Sequence, residues 1–168
     1  MGADVRPRLA ILLVLAACSP QQEADGNRSE SQSRSFAGRP LAFGGLSGLY
    51  ESGAAPDRSQ MCILRRGHST QFGLVVRKSP TDLCSGSGVA LSVSGGIEFR
   101  MNGDSRCRIR GRISGQKIIF PAMVERGCAY YCGGRADLAN IAFARMKGGR
   151  RAARSARDLV GEPLCTNE

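Results

Sequence analysis

The sequence predicts a mainly β fold: a small antiparallel meander barrel or sandwich of seven or eight strands, with a short C-terminal amphipathic helix and three disulfides. Three observations carry that expectation. Apolar and polar residues alternate with period two in runs such as GIEFRM and CRIRGRI, the mark of a strand with one buried and one wet face. Glycine-rich turn signals separate the runs at short intervals. Cysteines recur along the whole predicted domain, from Cys62 to Cys165.

From Leu46 onward the chain breaks into short apolar runs bounded by turn residues, and strands are expected near 46–51, 60–66, 71–78, 87–94, 96–102, 106–113, 117–121 and 139–146. Ser94-Gly95-Gly96, Asn102-Gly103-Asp104-Ser105 and Ser114-Gly115-Gln116 separate successive runs as hairpin turns. In the fifth run Ile97, Phe99 and Met101 share one face and Glu98 and Arg100 the other. In the sixth, Cys107, Ile109 and Ile113 lie opposite Arg106, Arg108, Arg110 and Arg112. The period then changes. In RRAARSARDLV, residues 150–160, a 100° step places Ala152, Ala153, Ala156, Leu159 and Val160 on one side and Arg150, Arg154 and Arg157 on the other. Gly161 and Pro163 stop this predicted helix. Eleven residues make a marginal helix alone, so Cys165 is expected to staple the tail.

The beginning of the chain has a different character. Arg6 and Arg8 precede the uncharged run LAILLVLAA, residues 9–17, the layout of a secretory signal. Nine apolar residues are too few to span a membrane, which takes about 20. The run ends in Leu15-Ala16-Ala17-Cys18, which resembles the lipobox of bacterial lipoproteins. That resemblance implies cleavage after Ala17 and a diacylglyceryl group on the Cys18 thiol. Ser19, where retention in the inner membrane favours Asp, implies the outer membrane, with the domain facing the periplasm. Residues 18–45 then read as lipidated cysteine and polar tether, with a typical end-to-end distance of about 30 Å, and residues 46–168 as the β domain.

Export explains an odd cysteine count. Of seven cysteines, Cys18 takes the lipid, leaving Cys62, Cys84, Cys107, Cys128, Cys132 and Cys165, an even set for an oxidising compartment. Six cysteines allow 15 pairings. Cys128-Ala-Tyr-Tyr-Cys132 has the wrong spacing for zinc, c-type haem or a redox pair. The two cysteines are expected to bond separately to distant partners. No metal or cofactor is expected.

Residues 18–168 keep 22 of the 24 basic and 13 of the 14 acidic residues, a side-chain charge of +9. Such a charge suits anionic envelope polymers, lipid headgroups or an acidic partner protein. Arginine also outnumbers lysine 21 to 3, as a GC-rich genome produces without any binding role. Export separates the chain from nucleic acid. One histidine, His68 in a turn-like stretch, supports no catalytic pairing, so no enzyme is expected. The candidate binding surface is Arg106, Arg108, Arg110 and Arg112 with Tyr130, Tyr131, Arg150, Arg154 and Arg157. The arginine ladder reads either as a solvated face or as an anion- or partner-binding one. The tyrosines read either as one packed and one half-exposed ring or as an aromatic contact surface.

Gly48-Leu-Tyr50 opening the domain, with Cys62 in the second strand and Cys84 some twenty residues on, resembles the small periplasmic inhibitors of bacterial metalloproteases. Those are eight-stranded barrels beginning with a G-x-W strand and carrying one disulfide. The resemblance covers residues 46 to about 121 and implies a Cys62–Cys84 bond. The chain differs in having no tryptophan and four further cysteines. A looser likeness is to the lipoprotein inhibitors of lysozyme. The expected role is a non-enzymatic periplasmic binding or inhibitor module. The alternative is a structural envelope protein that holds anionic lipid or cell-wall polymer through its basic surfaces.

Overall fold

The computed structural model describes residues 45–166; the expected signal segment, Cys18 and the tether as far as residue 44 lie outside the described residues. Eight strands follow one another: β1 Gly48–Ser52, β2 Ser59–Arg66, β3 Ser69–Arg77, β4 Leu83–Val93, β5 Gly96–Met101, β6 Arg108–Ser114, β7 Lys117–Ile119 and β8 Ala142–Gly148. Each pairs antiparallel with the next, and β8 returns to pair with β1, so the sheet closes into a barrel and not a sandwich. Closure leaves no strand edge unpaired. No helix among the described residues is long and apolar enough to cross a membrane.

Period-two alternation delivers the inward residues. Phe72, Phe99, Phe120 and Phe143 stack through the middle, with successive ring centroids 4.8, 5.4 and 5.6 Å apart at steep angles. Tyr50, Met61, Ile63, Leu74, Ile97 and Ile109 fill the space around them. The barrel is therefore a packed core, as barrels of eight strands commonly are. Tyr50 is 1% exposed and donates its hydroxyl proton to the Leu46 carbonyl at 2.6 Å. Burial raises its pKa, and the nearby Arg145 partly offsets this. Gly48 makes room there: a Cβ would lie 2.5 Å from the Lys147 carbonyl oxygen.

On β2 and β3 both faces are covered. Cys62 and Leu64 point away from the barrel axis, yet both are buried, against Ala153, Ala156, Leu164 and Cys165 of the tail. Gly73 permits this contact, since a Cβ would meet the Leu164 carbonyl oxygen at 2.5 Å. The continuous apolar run Phe72 to Val76 fits a strand buried on both sides.

Three expectations are corrected. The bond implied by the inhibitor resemblance does not form: Cys62 pairs with Cys165, Cys84 with Cys132 and Cys107 with Cys128. Cys128 and Cys132 thus take separate distant partners, and Cys165 staples the tail, both as expected. The predicted helix over 150–160 is a single turn, α1 Arg150–Ala153. Continuing it at 1.5 Å per residue would carry Cys165 away from β2. Instead the chain turns back: Leu164 donates its backbone N–H to the Ala156 carbonyl, and the Asp158 carboxylate accepts from the N–H groups of Val160 and Glu162. Ala153 and Ala156 remain buried, whereas Leu159 and Val160 are exposed. Finally, β4 starts at Leu83, four residues before the expected 87, because LCSGSG pairs with β3 despite its turn-like composition.

Candidate functional site

The candidate surface begins with the alternation of β5 and β6. Inward Phe99 faces Ile109, so Glu98 and Arg100 must face outward beside Arg110 and Arg108. Arg100 stands directly opposite Arg108, an unfavourable like-charge pair. Glu98 relieves it. Its two oxygens accept from Arg100 Nε at 2.7 Å and Arg110 Nε at 3.1 Å. Glu98 is only 3% exposed, but its shelter is the two guanidinium groups and not the core. Hydrogen bonding from Arg100, then from Arg110, holds its carboxyl below the usual glutamate range. One carboxylate therefore answers two arginines. Arg106 binds Asp104 through both carboxylate oxygens, which lowers the Asp104 pKa. Arg108 Nε donates to the Ser105 carbonyl at 3.2 Å. Neither Arg108 nor Arg112 has a carboxylate partner for its side chain among the described residues. Val89 and Leu91 of β4 pair with Arg100 and Glu98, and Ile119 of β7 with Arg112. They add apolar contact to this wall, which the sequence reading missed. Strand register alone carried that signal, and no short motif did.

Tyr130 and Tyr131 sit on the connection between β7 and β8, in the 3₁₀ helix Arg126–Tyr131. The two neighbouring disulfides fix that connection to β4 and to the chain just before β6. Tyr131 packs on the core, donates to the Asn102 carbonyl and accepts from the Asp104 N–H at 2.9 Å. Tyr130 is 77% exposed and meets Tyr131 edge to face at 5.1 Å. One ring is structural and the other is free to touch a partner.

The remaining arginines do not join the wall. Helix α1 contacts β1, β2 and β8, so Arg150 and the ladder on β6 lie on opposite sides of the barrel. Arg150 lines a recess of about 300 Å³ with Ser47, Arg65, Gly67 and Gly149. Arg157 lines another of about 240 Å³ with Arg58, Gln60, Val75, Arg77 and Asp158. Arg154 is partly buried, with no partner for its Nε among the described residues. Because the helix stops after one turn, the single basic stripe predicted for Arg150, Arg154 and Arg157 is broken into three settings. His68 is exposed, in the two-residue turn between β2 and β3. Among the described residues, no three or more His, Cys, Asp or Glu side chains converge as a metal site would require.

No family model, no curated protein and no solved structure matches the chain.

Proposed function

We propose that this chain is a non-enzymatic lipoprotein, anchored through Cys18 to the outer membrane, whose barrel is a periplasmic binding or inhibitor module. The observation that carries the reading is the filled barrel. Phe72, Phe99, Phe120 and Phe143 occupy the centre, so a partner has to engage the outside. The outer wall of β4–β6 offers the two residue types suited to this: arginines with spare donors, Arg108 and Arg112, beside partly exposed Val89 and Leu91. Arginine is enriched at interface hot spots. The chemistry it favours is an acidic protein surface bordered by apolar side chains. The alternative, anionic lipid or cell-wall polymer held jointly by Arg106–Arg112 and residues 150–157, loses its continuous surface because these groups lie across the barrel from each other.

The test is capture from an envelope extract with the mature chain, compared with R108Q/R112Q. A protein retained by the parent through a high-salt wash and lost by the variant is the expected result. Capture that ignores the substitutions, or that salt abolishes entirely, sinks the reading. The anchor is tested separately by the mass of the native N-terminal peptide, where an unmodified Cys18 overturns it.

A further inference from the structure

The two ends of the barrel differ sharply in charge. At one end the connections are two-residue turns: Gly67-His68, Ser94-Gly95 and Gly115-Gln116. The chain also enters the barrel here, at Gly45–Ser47, and leaves it at Gly149. Arg65, Arg66, Lys117, Arg145, Lys147, Arg150 and Arg151 belong to this end, and the segments 45–48, 65–69, 92–96, 112–117 and 145–151 contain no Asp or Glu. At the far end, the connections 53–58, 78–82, 102–107 and 120–141 carry Asp57, Asp82, Asp104, Glu125 and Asp137. The acid-free end also holds the recess of about 300 Å³ between Arg65 and Arg150. Met146, in the part of β8 that reaches this end, is 55% exposed.

We infer that the acid-free end is a docking surface for the anionic phospholipid headgroups of the membrane to which the chain is tethered. Whatever precedes residue 45 joins the barrel at this end, so a tether from Cys18 attaches at the end that carries the cations. The cations meet the headgroup phosphates, the recess between Arg65 and Arg150 admits one of them, and Met146 touches the interface. Docking then points the far end, with Tyr130, away from the membrane. The inference rests on the lipid-anchor reading for the choice of membrane. The affinity itself belongs to the barrel and is measured without the lipid.

The experiment is sedimentation of the unlipidated chain from Ser19 onward, made in an oxidising compartment, with vesicles of equal phosphatidylglycerol and phosphatidylcholine or of phosphatidylcholine alone. Each basic residue close to an anionic surface strengthens partitioning about fivefold. The side chains of Lys117, Lys147 and Arg151 are exposed and have no hydrogen-bond partner among the described residues, so K117Q/K147Q/R151Q keeps the fold, verified by an unchanged free-thiol count. It is expected to weaken binding to the anionic vesicles about a hundredfold. K78Q/R126Q/R135Q removes the same charge at the far end. A six-residue strand spans roughly 20 Å against a screening length of about 10 Å, so this variant is expected to stay within about twofold of the parent. Equal losses in the two variants, or no preference of the parent for the anionic vesicles, overturn the inference. So does retention on anionic cell-wall polymer that depends on the same three cations while vesicles are ignored.

Discussion

The tight-turn end and the far end of the barrel solve the same closure problem with opposite materials. Two-residue turns need little beyond a residue that tolerates positive φ, as Gly67, Gly95 and Gly115 do. The far end must instead order a connection of more than twenty residues between β7 and β8, with no regular structure beyond one 3₁₀ helix. It does so with two disulfides, with Phe120, Leu138 and Ile141 plugged into the core, and with carboxylates used as scaffolding. Asp104 accepts from the Arg106 N–H, Asp82 from Arg135, Glu125 from Arg108 and Asp137 from Ala139. Acids collect where long loops need acceptors, and short turns leave the other end without them. Charge asymmetry is thus a consequence of loop length, and the proposed docking would use it.

Three measurements bear on that contrast. Removing a staple from the long connection has the largest effect: C84A/C132A opens a loop of separation 48, and chain entropy predicts a loss of about 4 kcal/mol in denaturant unfolding. K117Q/K147Q/R151Q at the other end is expected to change stability by under about 0.5 kcal/mol. Comparable losses in the two would dissolve the distinction. Next, Y131F deletes a hydroxyl that both donates to Asn102 and accepts from Asp104. A loss of about 1 kcal/mol is expected, with faster amide exchange confined to the 102–107 turn. On the wall between the ends, E98Q is expected to cost up to about 1 kcal/mol at neutral pH. Its pH dependence is the sharper readout. The folded pKa of Glu98 lies below the unfolded value, which is about 4.3. The stability it contributes is therefore complete above that value and is lost as pH falls through the folded pKa. Parent and variant should converge in acid, and a gap that persists or widens there refutes the Arg100–Glu98–Arg110 assignment.

Much of the fold was legible because alternation is local. Ile97, Phe99, Met101 and Ile109 point inward, as their spacing dictates, and the short hairpin turns at Ser94-Gly95 and Gly115-Gln116 fall where glycine marks them. The outward arginines of β6 were legible for the same reason. Less visible was what answers them, because the Glu98 clamp depends on cross-strand register. The tail misled because its alanines do face inward at helical spacing, while the demand that Cys165 reach Cys62 ends the helix early. The pairing of Cys62 was misread for a related reason: its partner lies 103 residues away, and only the return of the tail over β2 brings the two together.

By itself, then, the sequence determined a meander of seven or eight short strands, the inward face of the central strands and a cysteine set that pairs completely, since each follows from residue type and near spacing. The tertiary structure decided that the sheet closes, which cysteines meet, that the basic residues separate into a wall and an end, and that the centre is full. Those depend on which distant segments share space, and pairing across a closed barrel fixes that only once every strand is in register.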